Sequence, residues 1–282
     1  AIADSCLTRI LDAEPQDVNA LRNMGALRAR TGRLDEAVGH FDRALMLEPD
    51  DITTLMNAGQ VRRQLGRIDD AAAIYERAYR LAPHRADVVH GLGLIARDRG
   101  QRMKACAFLE QAVARNPRIA QFLTDLGSAC HEAGRIEAAL DAYRRALAIE
   151  PANQTVPARL CHQLERACAW DEAGKVRRNL LARSEAALAA RRRCLELPFA
   201  QLAYAEDPAT ILKLARAWSA EIAARAGPML PPADVDRDPD RRLRIGYLSH
   251  DFRNHAVAQL CHRVLALQDR ARFHVSAYST GP

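Results

Sequence analysis

Gly25-Ala-Leu-Arg-Ala-Arg-Thr-Gly32-Arg-Leu-Asp-Glu-Ala37-Val-Gly-His-Phe41-Asp-Arg-Ala44-Leu-Met-Leu-Glu-Pro49 sets out a pattern that returns every 34 residues. The first glycine repeats at Gly59, Gly93 and Gly127, and the second at Gly66, Gly100 and Gly134. Alanine holds positions 37, 71, 105 and 139, and again 44, 78, 112 and 146. A large apolar residue stands at Phe41, Tyr75, Leu109 and Tyr143, and proline closes each period at 15, 49, 83, 117 and 151. A period of this length marks one supersecondary unit that buries its apolar face only by stacking on its neighbours.

The period and its small/large columns resemble the tetratricopeptide repeat, a pair of helices joined by a tight turn. The first glycine lets the partner helix approach closely, and the second takes the turn. Alanines mark the helix crossing, the aromatic residue fills the gap, and proline ends the repeat by refusing the helical hydrogen bond. Ala3, Leu7 and Ile10 keep the register of a second helix, so residues 1–153 read as repeats with the first one truncated. An array opening without a cap is expected to have lost neighbours upstream. After Pro151 the pattern fades into a degenerate repeat over 154–195, which keeps Leu160, Trp170 and Ala173, puts Cys161 for the packing glycine, and runs into a long helix from about Asp171 to Cys194.

Composition narrows the function classes. Forty-one basic residues against thirty-five acidic give a net charge of +6, yet only Lys104, Lys175 and Lys213 are lysines. The arginines are interleaved with acids through the repeats and lack an aromatic stacking set, which argues against nucleic acid as partner. No apolar run is long enough to span a bilayer, which argues against a membrane. The seven cysteines form no CxxC, so free thiols in a reducing, cytoplasmic compartment are expected. Cys161, His162 and Cys168 lack a second ligand pair at zinc spacing, and no metal is expected.

Two residues before each packing glycine stand Asn23, Asn57, Gly91 and Asp125. Stacked repeats offer a groove for extended peptides, and a carboxamide carries both a donor and an acceptor for a peptide backbone. Asn23, Asn57 and Asp125 are therefore candidate groove residues; the alternative is that they face solvent or cap a local turn.

A helical joint and a Pro/Asp-rich linker follow over 196–242, with Asp207-Pro208 as a capped helix start and Gly227 as its end. From 243 to 282 the chain reads as strand, polar turn, amphipathic helix and second strand, Phe273 to Tyr278. Such a unit opens a parallel α/β domain, incomplete here because one strand–helix–strand cannot cover both faces of a sheet. Ligands sit at the carboxyl ends of strands in such sheets, where His250, Asp251 and His255 would stand. His255 is a candidate ligand-end residue and Asp251 reads first as a turn residue; a loop histidine that only caps the next helix is the alternative for His255.

Cys168-Ala-Trp170-Asp171, Leu197-Pro-Phe-Ala-Gln-Leu with Asp207-Pro208, and Arg242-Leu-Arg-Ile-Gly-Tyr through His255 with Phe273-His-Val-Ser-Ala-Tyr-Ser resemble the protein O-linked N-acetylglucosamine transferase family. That family includes the plant Spindly-type proteins and bacterial relatives. The resemblance implies a mostly α tetratricopeptide superhelix, then the beginning of a Rossmann-like, GT-B type lobe. It implies an inverting protein O-glycosyltransferase using a nucleotide sugar without a cofactor or metal, with His255 at the family's active-site histidine. UDP-N-acetylglucosamine is the first expected donor. Ala256-Val257 after His255 is nearer the Spindly-type sequence, so GDP-fucose is the alternative, and no residue here is assigned to the donor. Acceptor proteins in the repeat groove, and a homodimer through the repeats, complete the expected partners. The reading from a different class is a non-catalytic tetratricopeptide interaction adaptor.

Overall fold

The computed structural model describes residues 2–190, 207–226, 241–249 and 256–279. It divides into two compact units, residues 1–222 and 223–282. The first unit opens with eleven consecutive helices: α1 Ile2–Ala13, α2 Val18–Arg30, α3 Leu34–Leu47, α4 Ile52–Gln64, α5 Ile68–Leu81, α6 Ala86–Asp98, α7 Arg102–Arg115, α8 Ala120–Glu132, α9 Ile136–Ile149, α10 Val156–Arg166 and α11 Trp170–Ala189. From α2 onward they pair as α2/α3, α4/α5, α6/α7, α8/α9 and α10/α11, each pair being one repeat.

Within each repeat the turn is made the same way. Gly32, Gly66, Gly100 and Gly134 have φ of 78°, 74°, 70° and 74°, the left-handed region where a side chain costs energy. The residue after each glycine donates its N–H back to the preceding helix, as in Arg33 N–H to the Arg28 carbonyl at 2.9 Å and Arg135 N–H to the Cys130 carbonyl at 2.8 Å. This is the Schellman closure of a helix end. The fifth pair closes identically, Ala169 N–H to the Leu164 carbonyl at 2.9 Å, but with Cys168 at φ 55°. A non-glycine residue there costs on the order of 1 kcal/mol. The degenerate stretch after Pro151 is thus a full helix pair whose turn residue has changed. Trp170, at its start, is 58% exposed and lies outside the core, whereas Leu160 and Ala173 are buried.

Phe41, Tyr75, Leu109 and Tyr143 occupy space that a glycine leaves open. A Cβ on Gly25 would lie 2.8 Å from the Phe41 ring, on Gly59 2.9 Å from Tyr75, on Gly93 2.7 Å from Leu109, and on Gly127 2.5 Å from Tyr143. Tyr75 reaches further: a Cβ on Gly91, in the next repeat, would overlap its ring as well. In the fifth pair the ring column becomes Arg177, which lies near Glu165 (3.8 Å). With no ring to admit, Cys161 fits at the glycine position and is buried.

Asp17 and Asp51 cap α2 and α4, accepting from Ala20 N–H (2.8 Å) and from Thr54 N–H (3.0 Å), and Asn153, two residues before the N-cap of α10, accepts from Val156 N–H (2.9 Å). Arginines lace successive repeats together: Arg67–Asp35 (2.7 Å), Arg99–Asp69 (2.6 Å), Arg63–Asp98 (3.1 Å) and Arg144–Glu172 (2.6 Å). Such pairs are each worth about 0–1 kcal/mol at a surface. They put arginines of one repeat to use in pairing with acids of a neighbouring one.

Helix Pro208–Ala226 is capped by Asp207, which accepts from Ala209 N–H and Thr210 N–H, both at 3.0 Å. The second unit holds β1 Leu243–Ser249, helix Ala256–Ala266 and β2 Phe273–Ser279. The strands pair in parallel, Leu243 opposite Phe273 through Ser249 opposite Ser279. Gln268 donates from Nε2 to the Tyr247 hydroxyl at 3.2 Å. Ile245 and Tyr247 are partly covered while Leu248 is 72% exposed, so one face of this two-stranded sheet is open. Much of the expected 196–242 joint lies outside the described residues.

One consequence of the ring contact is testable by melting. Gly91→Ala is expected to destabilise by about 1–3 kcal/mol through overpacking against Tyr75. Tyr75→Leu in the same chain should recover part of that loss, since Leu109 serves the equivalent position; no recovery would place the strain elsewhere.

Candidate peptide-binding face

The first helices of the pairs, α2, α4, α6 and α8, line one face of the stack. Asn23 is exposed on α2 and Asn57 half-buried on α4, one repeat apart. Neither carboxamide has a hydrogen-bond partner among the described residues. Beside Asn23, Arg22 is tied to Asp51 (3.0 Å) and donates to the side-chain Oδ1 of Asn19 (2.5 Å).

The same column behaves differently in the next two repeats. Gly91 stands where Tyr75 has taken the space of a side chain. Asp125 is buried, and its carboxylate is held inside the chain: Gln121 Nε2 donates at 2.9 Å, His90 Nε2 lies at 2.8 Å, and an Arg97 nitrogen at 3.5 Å. His90 in turn stacks on Phe122, with ring centroids 4.4 Å apart. Burial pushes the Asp125 carboxyl up, but its hydrogen bonds to His90 and Gln121 and the nearby charges outweigh that and hold it below the usual aspartate range. The column thus contains two available carboxamides, then a glycine, then a carboxylate occupied within the fold. His90, Phe122 and Arg97 belong to that network, and no sequence signal singled them out. Further along, Gln163 Nε2 and an Arg166 nitrogen meet His131 Nδ1 at 2.7 and 3.0 Å, and Arg159 meets the Ser128 hydroxyl.

His250, Asp251 and His255 lie outside the described residues. Among the described residues, no group of His, Cys, Asp and Glu side chains is arranged to hold a metal ion, and no helix is long and apolar enough to cross a membrane. Cys161 Sγ points toward Glu165 Oε1 (3.7 Å) and the Ala173 carbonyl (3.9 Å). Cys106 and Cys130 are buried free thiols, and burial pushes Cys130 up to about 12.

Helix pairs with this period, these turns and this glycine–ring packing define a tetratricopeptide-repeat protein. Residues 16–84 and 90–154 match the tetratricopeptide repeat family. The probable UDP-N-acetylglucosamine–peptide N-acetylglucosaminyltransferase SEC of Arabidopsis thaliana is 33% identical over 135 residues, 43% of this chain. That likeness lies in its repeat region and spans 13% of the plant protein's length. Among solved structures, the APC/C hetero-tetramer Cut9–Hcn1 superposes with a TM-score of 0.56 at 17% identity, covering 75% of this chain and 45% of that one. A thermophilic tetratricopeptide protein of Thermus thermophilus gives a TM-score of 0.50 at 24% identity, over 57% and 90% of the two chains. These two share the fold.

Asp125 supplies a pH signature. Its carboxyl is depressed in the folded chain, so its stabilisation is complete above the ordinary aspartate pKa of about 3.9 and is lost as pH falls through its own lower value. Asp125→Asn is expected to lower stability by about 1–3 kcal/mol at pH 7 by leaving His90 and Arg97 without their carboxylate. The gap between the two chains should close in acid, as followed by circular dichroism. A gap independent of pH would contradict the assignment.

Proposed function

We propose that this chain is a protein-interaction scaffold whose first-helix face takes an extended segment of another protein. The observation that carries the proposal is the pair Asn23 and Asn57, two unpartnered carboxamides among the described residues, on the same face of successive repeats. Each offers one donor and one acceptor group, the complement of a peptide unit, so together they can clamp a backbone whatever its side chains. Asp125, held by His90 and Gln121, serves the rigidity of that face, so the clamp sits toward α2 and α4. Extended peptides can be selected from a random library on the intact chain. Each backbone bond lost costs about 1 kcal/mol, so losing all four in Asn23→Ala with Asn57→Ala should weaken the selected peptides by roughly a thousandfold without shifting the melting curve. N-methylation of the bound peptide backbone should weaken them as well. Affinity indifferent to both changes would reject the clamp.

A second reading has its own support in the parallel β1–helix–β2 unit that follows the repeats in sequence and in the likeness to the plant transferase. In it, the repeats present acceptor proteins to an inverting O-glycosyltransferase. This chain then contains the scaffold and the opening of a Rossmann-like acceptor-side lobe. A nucleotide sugar, UDP-N-acetylglucosamine or GDP-fucose, is the donor. His255 would take the proton of the acceptor Ser or Thr hydroxyl, a task an imidazole can perform near neutral pH. Incubation of the full-length gene product with each donor should leave sugar on protein Ser or Thr, detected by mass spectrometry. His255→Ala should cut that turnover at least about a hundredfold. No transfer from either donor would leave the scaffold reading alone.

A further inference from the structure

The opposite side of the stack, lined by the second helices, carries a cavity of about 580 Å³ between α5 and α7 and above α6. Its floor is apolar: Tyr79, Leu92, Ile95, Ala96 and Phe108. One repeat earlier, between α3 and α5, a smaller cavity of about 460 Å³ is lined by Met46 and Leu55 and by six residues with counterparts one period on, Asp42, Leu45, Arg62, Ala73, Ile74 and Arg77. Advancing those six by the 34-residue period gives Glu76, Tyr79, Ala96, Ala107, Phe108 and Gln111, all of which line the larger cavity. The two cavities are therefore related by the repeat, but their linings diverge: Leu45, Ile74 and Arg77 become Tyr79, Phe108 and Gln111, and Arg62 becomes Ala96.

In the earlier copy Arg62, with its side chain 11% exposed, reaches across to Asp42 at 2.5 Å. In the later copy alanine replaces that arginine. Glu76, the counterpart of Asp42, then has no partner among the described residues, and the volume that a guanidinium would occupy stands open above an apolar floor. The rim is polarised. Lys104, unpartnered among the described residues, and Arg102 stand on the first turn of α7, which has no acidic residue, whereas α3, α5, α9 and α11 each have one or two there. The amino end of a helix adds positive potential of its own. Arg99, also on the rim, is already paired with Asp69 at 2.6 Å.

We infer that this cavity docks a segment of another protein that places a large apolar side chain on the Tyr79–Phe108 floor and carboxylates at the Lys104 end. A volume of this size lies within the range of pockets that bury compact ligands, enough for one or two large side chains. Apolar burial supplies the attraction, and the cations at the α7 end select acidic flanks. Glu76, on the opposite wall, repels a carboxylate there and so sets the direction of the segment. This surface is separate from the Asn23/Asn57 face and does not depend on it.

The repeat supplies its own control, because Ala96→Arg restores what the chain already builds at Arg62. Random peptides displayed on phage would be panned on the intact chain, with those still bound by the Ala96→Arg chain removed. Enriched peptides would then be labelled with fluorescein and titrated by polarisation. The inference predicts peptides pairing Phe, Trp or Leu with Asp or Glu. It predicts affinities at least ~10-fold weaker for Ala96→Arg and for the surface change Lys104→Glu, and unchanged for Asn23→Ala/Asn57→Ala. Failure to enrich any peptide would overturn it. So would basic consensus sequences, or affinities within about twofold of the parent for Lys104→Glu.

Discussion

Everything in the repeat unit depends on one contact, a ring or branched chain on the second helix seated where the first helix has no Cβ. Phe41 on Gly25, Tyr75 on Gly59, Leu109 on Gly93 and Tyr143 on Gly127 set how closely the two helices of each pair approach. Interiors packed to crystal-like density do not absorb an added methyl without displacement, so the contact fixes helix separation as well as filling space. Buried alanines at 37, 71, 105 and 139 let the same helices cross closely nearby. Because Tyr75 also lies against Gly91, the ring in one repeat decides which residue the next can carry. Packing thereby reaches the face proposed to bind peptide.

That link divides the first-helix face. Where Phe41 is the ring, the following column position keeps Asn57; where Tyr75 is the ring, the position is glycine. One repeat on, Asp125 is drawn into contact with His90, Gln121 and Arg97, so the surface there is structural. The second-helix face varies at a different column, in which Arg62 lines the smaller cavity and Ala96 the larger. A stack of similar units can in this way carry two dissimilar surfaces on one frame, the first-helix face set in part by the Tyr75 ring and the second-helix face by the column of Arg62 and Ala96.

Much of this fold was legible in the residues themselves. The glycine, alanine and proline columns carry the helix ends, turns and crossings, because each has a local cause: a left-handed φ, a close approach, a missing N–H. The fifth pair was harder to see. Its turn uses Cys168 in a conformation glycine normally takes, and with Arg177 in the ring column Cys161 needs no glycine beneath it. The candidate site was legible in part. Asn23 and Asn57 stood out by their column, but the engagement of Asp125 came from residues at other helical positions, His90 and Arg97, whose meeting depends on how successive repeats pack. The Ala96 cavity shows only when a position is compared with its own copy one period earlier. The β1–helix–β2 pattern was readable as alternating strands and a helix, while the histidine assigned to its turn rests on a resemblance in sequence.

The central claim is that the ligand backbone is held at α2 and α4 while α8 keeps its internal network. Amide hydrogen exchange on the intact chain, with and without a selected extended peptide, tests it directly. Slowed exchange confined to α2, α4 and the turns beside them, with α8 unchanged around Asp125, is the expected result. Protection centred on α8, or spread evenly over every repeat, would contradict it.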